Sequence, residues 1–184
     1  MTRRLRITPL LILVLALTFA LPSRASAYDL TLSQGTKAEV YFSPRGGATE
    51  AIVKHVRQAK HTVYVLAYSF TSPAISQALI EAKLRGVNVE VILDKSQSRG
   101  QGAAGGTLRD AGVKVHIDSV HAIAHNKVML VDSHTLITGS FNFTRAAESR
   151  NAENLLVLES PEAVGLYMEE FRKHLGHSQY LSRD

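Results

Sequence analysis

His125-Asn126-Lys127-Val128-Met129-Leu130-Val131-Asp132, followed by Thr138-Gly139-Ser140-Phe141-Asn142, is the stretch that decides how this chain is read. Residues 127–131 form an apolar, β-branched run that predicts a buried strand. Side chains alternate along a strand, so His125 and Lys127 point to the same face. Asp132-Ser133-His134 supplies turn chemistry, and residues 135–138 predict a second strand. Ser140 and Asn142 are again two apart and share a face if the chain stays extended. Such a hairpin gathers an imidazole, an ammonium, a hydroxyl and an amide, a set suited to an anionic phosphate.

The spacing His-x-Lys-x-x-x-x-Asp, six residues, then Gly-Ser-x-Asn resembles the motif of the phospholipase D superfamily. His125, Lys127, Asp132, Gly139, Ser140 and Asn142 carry the match. Asn151-Ala152-Glu153-Asn154, leading into Leu155-Leu156-Val157-Leu158, is similar to the family's continuation. The resemblance covers most of residues 37–175. One motif copy on a short chain is most similar to the superfamily's small bacterial endonucleases. It implies a single α/β domain in which a mixed β-sheet is flanked by helices on both faces. It also implies His125, Lys127, Asp132 and Glu153 as catalytic residues, with Ser140 and Asn142 binding substrate.

A phosphodiester is cut through a covalent intermediate when a nucleophile attacks phosphorus in line with the departing oxygen. Neutral imidazole suits that role, its reference pKa being ~6.5. By the resemblance, His125 is the nucleophile and forms a phosphohistidine. Glu153 is the candidate partner that fixes the ring's tautomer. Lys127, Ser140 and Asn142 would donate to the non-bridging oxygens, where charge accumulates. These donors do what a metal does elsewhere, so the expected mechanism needs neither metal nor cofactor. The leaving oxygen needs an acid on the far side of phosphorus, and one imidazole cannot fill both roles. With a single motif, the expectation is a two-fold homodimer sharing one active site between two copies of His125.

Residues 1–27 predict a signal peptide. Arg3, Arg4 and Arg6 form a basic start, Pro9 to Leu21 an apolar core, and Ala25-Ser26-Ala27 a small-residue cleavage site. The apolar run is short for a spanning helix, which needs ~20 residues. The expected mature protein, residues 28–184, is therefore periplasmic or secreted, with no stable membrane association. The chain has 21 Lys+Arg against 16 Asp+Glu, a net +5. Residues 1–27 hold four arginines and no acid, which leaves 17 against 16 in the mature chain. Net charge thus gives no argument for nucleic acid, and only a local patch around Lys95, Arg99, Arg145 and Arg150 would. The chain has no cysteine, which excludes disulfides, thiol catalysis and Cys-bearing zinc sites.

The 157 residues after position 27 suffice for one domain with a sizeable core. Strands are predicted at 38–42, 62–68, 87–93, 113–117 and 154–158. Helices are predicted at 48–60, 74–85 after a Ser72-Pro73 start, 107–111, and 161–174. The order β–α–β–α–β at the start argues for an α/β sheet with helices packed on it. Residues 96–106 are glycine-rich and lack a Walker ending, so they predict a surface loop.

Each functional reading has a rival. His121 and His125 are four apart and would suit a zinc pair, but no third ligand is evident. His121 is also a candidate acid within one chain, the main rival to the dimer. Asp132 sits on the opposite face from His125 and Lys127 by offset, so a turn-capping or strand-end role stands beside the catalytic one. Tyr64 is expected in the core, while Tyr68 and Phe70 are open between core and base stacking. His55, His61, His174 and His177 are expected at the surface. The expectation is a metal-independent phosphodiesterase that contacts the phosphate backbone of DNA, and of RNA by the same chemistry, with little sequence preference. The alternatives are a phospholipase acting on lipid phosphodiesters and a non-catalytic nucleic-acid-binding module.

Overall fold

The computed structural model describes residues 28–98 and 102–182. The expected signal peptide and Arg99 lie outside them. The strands are β1 (Ala38–Ser43), β2 (Thr62–Ala67), β3 (Asn88–Asp94), β4 (Lys114–Asp118), β5 (Lys127–Val131), β6 (Thr135–Gly139), β7 (Glu153–Glu159) and β8 (Gln179–Tyr180). They form one mixed sheet in the order β1-β7-β6-β5-β2-β3-β4-β8. β2, β3 and β4 run parallel, whereas β5, β6, β7 and β1 add on as antiparallel neighbours. β2 is therefore the seam between a parallel and an antiparallel half.

The helices are α1 (Ala48–Gln58), α2 (Pro73–Leu84), α3 (Ala104–Asp110), α4 (Arg145–Ser149) and α5 (Pro161–His177). Pro73 and Pro161 open α2 and α5, where a missing N–H costs nothing, and the Ser72 and Ser160 hydroxyls accept N–H groups of the first turn. α1, α2 and α3 cover one face over Val63, Val65, Val91, Met129 and Ile137. α5 packs on the other face over Leu66, Ile92, Val128, Leu130 and Leu136. The central strands are buried on both sides, which is why they read as nearly continuous apolar runs. The Phe171 ring of α5 lies 5.0 Å from that of Tyr64. Burying such a side chain contributes roughly 1.5–3 kcal/mol, so Phe171→Ala would loosen α5 from the sheet.

The structure departs from the sequence reading in particular places. Ala104-Gly105-Gly106 open a helix rather than a loop. A Cβ on Gly105 would lie 3.0 Å from Leu93 Cδ1, so the glycine lets α3 approach the sheet. α4 and β8 were not expected. Phe70 is fully buried and meets Phe143 edge-on at 5.6 Å, which assigns it to the core. His55 and His174, expected at the surface, are buried.

Candidate active site

β7, β6, β5 and β2 are consecutive in the sheet, and the motif residues gather at one end of these four strands. Lys127 opens β5 opposite Ala67, the last residue of β2. Tyr68 extends that pairing by donating its N–H to the Asn126 carbonyl at 2.8 Å. On the other side, Gly139 ends β6 opposite Leu155 of β7, two residues from Glu153. The segments leaving β2 and β6 are tied together, since Phe143 N–H donates to Ser69 O and Thr71 N–H to Phe143 O. Neighbouring strands lie ~4.8 Å apart, so this end of the sheet brings His125, Lys127, Ser140, Asn142 and Glu153 into one neighbourhood.

His125 is exposed and Lys127 is buried behind it. The Lys127 Nζ donates to the His125 carbonyl at 3.2 Å and lies 5.1 Å from the centre of the Tyr68 ring. That ring is in turn 4.6 Å from the His125 imidazole. Tyr68 thus backs both functional side chains and belongs to the site, not to the core. Burial pushes the Lys127 ammonium below the usual lysine range, and the Glu153 carboxylate partly offsets this.

On the opposite side, the Ser140 hydroxyl donates to Glu153 Oε2 at 2.6 Å, and Asn151 Nδ2 donates to Oε1 at 3.0 Å. The Asn154 N–H donates to Ser140 Oγ at 3.1 Å. The hydroxyl is thus both steered and supported. Gly139 makes the arrangement possible: its φ is 153°, and a Cβ there would fall 2.3 Å from the Asn154 carbonyl oxygen. The expected bond between Glu153 and the His125 ring is not formed; the Glu153 oxygens accept from Ser140 and Asn151 instead. Asn142 Oδ1 is buried without a partner, as is Ser43 Oγ, which lies opposite Glu153 in register. Ser43 was not singled out in the sequence, because its partner strand is more than a hundred residues away.

Asp132 is not in this group. It stands at the far end of β5, in the turn to β6, with Asp132 and Ser133 both at positive φ. Its carboxylate accepts three successive amides, from Lys60 at 2.6 Å, His61 at 2.7 Å and Thr62 at 2.9 Å. Burial raises its pKa, but those amides outweigh burial and hold it below the usual carboxylate range. The geometry is that of a cap on the start of β2.

His121 does not pair with His125 either. Its Nδ1 lies 2.9 Å from Asp118 Oδ2, an oxygen that also meets His174 Nδ1 at 2.7 Å and His177 Nε2 at 3.2 Å. The link from this cluster to the active site is the loop 119–126. Asp94 secures its far end by accepting the Ala124 N–H. Lys95, proposed for a basic patch, donates instead to the His121 carbonyl at 2.9 Å. Arg145 and Arg150 are exposed on and beside α4.

An exposed histidine, a buried lysine and a serine–glutamate pair thus share one end of the α/β sheet, a set suited to an anionic phosphate. Residues 52–175 match the family described as cardiolipin synthase, PLD-like domain. The chain is 37% identical over 150 residues to a phospholipase D of Rickettsia bellii, covering 82% of this chain and 75% of that one. It is 35% identical over 122 residues to the mitochondrial cardiolipin hydrolase of Mus musculus, covering 66% of this chain and 55% of the hydrolase. Among solved structures, Nuc of Salmonella typhimurium, a phospholipase D family member, superposes with a TM-score of 0.77 at 34% identity. That match covers 81% of this chain and 99% of Nuc. The chain belongs to the phospholipase D superfamily and is a phosphodiesterase of that superfamily.

Proposed function

We propose that this protein is a non-specific endonuclease that hydrolyses DNA, and RNA by the same chemistry, through a phosphohistidine on His125. The observation that carries the reading is the exposed His125 on an open sheet end, backed by Lys127 and Tyr68. A continuous polymer backbone can lie across such a surface. The likeness to nearly the whole length of Nuc supports it.

In the first step a His125 ring nitrogen forms a bond to phosphorus while the bond to the leaving oxygen breaks. Lys127, Ser140 and Asn142 hold the non-bridging oxygens as charge builds on them. The leaving oxygen takes its proton from His125 of the partner subunit in a two-fold dimer. In the second step that ring, now neutral, removes a proton from water as the water displaces His125 from phosphorus. In the free site the one Ser140 hydroxyl hydrogen rests on Glu153, and it turns from that carboxylate to a non-bridging oxygen when the phosphate binds. All these groups belong to protein side chains, so the chemistry needs no metal. Export to the periplasm or beyond accompanies this reading.

A lipid phosphodiester is the second reading. Val120 and Ile123, 65% and 57% exposed, lie just before His125 and would face an acyl surface. The names of the Rickettsia and mouse relatives favour it. No helix among the described residues is long and apolar enough to cross a membrane. Incubating residues 28–184 with plasmid DNA and, in parallel, with cardiolipin vesicles, both in EDTA, separates the two. Plasmid cutting that persists in EDTA and disappears in His125→Ala supports the endonuclease. Vesicle hydrolysis without DNA cutting transfers the assignment to lipid, and cutting that depends on added metal in protein whose fold and melting are unchanged by EDTA overturns the phosphohistidine route.

A further inference from the structure

We propose that Asp118, His121, His174 and His177 form a structural site for a divalent transition metal, with Zn²⁺ as the natural occupant. One ligand atom from each residue lies within 4.8 Å of all the others. The nitrogens that meet Asp118 Oδ2 are His121 Nδ1, His174 Nδ1 and His177 Nε2. Three imidazoles converge on a single carboxylate oxygen. Two in-plane lone pairs satisfy two N–H donors, so a hydrogen-bonded reading leaves the third ring poorly served. A cation among the four atoms satisfies all of them, each ring turning a lone pair inward. Tetrahedral zinc with bonds of about 2.0–2.1 Å places its ligands roughly 3.4 Å apart. The three contacts to Oδ2, at 2.9, 2.7 and 3.2 Å, lie inside that spacing, and with all four atoms within 4.8 Å of one another small side-chain shifts suffice to seat the ion.

The surroundings support the ligands as a metal site requires. Asp118 Oδ1 accepts the Val120 N–H at 3.1 Å, which frees Oδ2 for the cluster. His174 directs Nε2 toward Glu170 Oε1 at 3.7 Å, leaving Nδ1 to face inward. The Asp118 side chain is fully buried and that of His174 nearly so, while His121 and His177 are 46% and 30% exposed and give an ion its path in. Four protein ligands close the coordination sphere, so the site is structural and leaves no position for substrate. It joins the end of β4, the loop that leads to His125, and the last turn of α5.

The test uses untagged residues 28–184, stripped with EDTA, freed of chelator and titrated with ZnCl₂ by calorimetry, with melting followed in parallel. One Zn²⁺ bound per chain is expected, with Tm rising by roughly 5–10 °C at a hundredfold excess over Kd. His177→Gln and His174→Ala should each lose at least tenfold in affinity, whereas His125→Ala should bind as the parent does. Circular dichroism confirms that each variant is folded, and Co²⁺ in place of Zn²⁺ should give the intense visible bands of a tetrahedral site. Absence of stoichiometric binding, unchanged affinity in folded His177→Gln, or binding lost in His125→Ala would overturn the proposal.

Discussion

The Asp94 carboxylate reaches from the end of β3 to accept the Ala124 N–H at 2.7 Å, one residue before His125. Its other oxygen accepts the Ser96 N–H at 2.8 Å. One buried side chain thus fixes the loop that leads to His125, and the two bonds are charge-assisted.

Asp94 is accordingly a positioning residue. Asp94→Ala should lower kcat by roughly 10- to 100-fold with a smaller change in KM, because a misplacement of about 1 Å has that effect on a reacting group. Asp94→Asn keeps one acceptor oxygen and should recover part of the loss. Steady-state kinetics on a short oligonucleotide checks the split, and equal loss in both variants would assign the effect to charge.

Asp132 should matter for folding and not for the reaction. Asp132→Ala leaves three amides at the start of β2 without their acceptor and should destabilise the domain by about 2–4 kcal/mol in urea unfolding. Folded Asp132→Ala should keep its kcat within about threefold of the parent. A hundredfold loss of kcat in folded protein would return Asp132 to the chemistry.

The same carboxylate sets an acid limit. Asp132 and Asp94 both have pKa values below the usual carboxylate range: burial raises each, and hydrogen bonds more than reverse it, from the Ser96 hydroxyl and two amides at Asp94 and from three amides at Asp132. A depressed folded pKa means the unfolded chain binds the proton more tightly. Their stabilisation is therefore complete above the unfolded value of ~3.9 and is lost as pH falls through the lower folded values. The contribution of these two carboxylates to unfolding free energy should hold level down to about pH 5 and then drop. Asp132→Asn should flatten that drop.

Activity should have an alkaline limit set by Lys127. Burial lowers its pKa and Glu153 partly restores it, so the ammonium loses its proton earlier than an exposed lysine would. Glu153→Gln removes the restoring charge and should move the alkaline limb of kcat/KM to lower pH. Lys127→Arg keeps the charge beyond pH 12 and should abolish that limb at whatever activity it retains.

Gly139→Ala places a Cβ 2.3 Å from the Asn154 carbonyl oxygen at a φ of 153°. The strand end must shift, carrying Ser140 off Glu153. A stability loss of about 1–3 kcal/mol should come with a fall in kcat larger than that of Ser140→Ala. Thermal melting and single-turnover cleavage report the two effects separately.

What the sequence disclosed was mostly local. Val128 to Val131 and Val89 to Leu93 announce buried strands because their neighbours in the sheet are equally apolar. The motif is legible because His125 with Lys127, and Ser140 with Asn142, are set by alternation along one piece of chain. The contacts that escaped are those between distant pieces. His174 and His177 meet Asp118 only once α5 has folded back beside β4, and nothing in their own helix announces it. Glu153 was expected to hold the His125 ring, yet its bond runs to Ser140, a choice fixed by the register of β6 against β7. Asp132 illustrates a turn carboxylate inside a catalytic motif whose partners are the amides of another strand. The glycines at 105 and 106 suggested a loop because the need for close approach to Leu93 is invisible without the sheet.

Among the described residues β1 pairs only with β7, Ala38 against Leu158 and Ser43 against Glu153. As the chain leaves the ribosome, β1 is made first among the described strands and waits for β2 to β6 before its partner follows. Until β7 emerges it has no partner, and Val40 and Phe42, 56% and 68% exposed even in the finished domain, stand on that open edge. Closure of this non-local pair belongs late in folding. A nascent chain stalled before Glu153 therefore carries a sticky, unsatisfied strand, the kind of surface a holding chaperone recognises and an aggregate grows from.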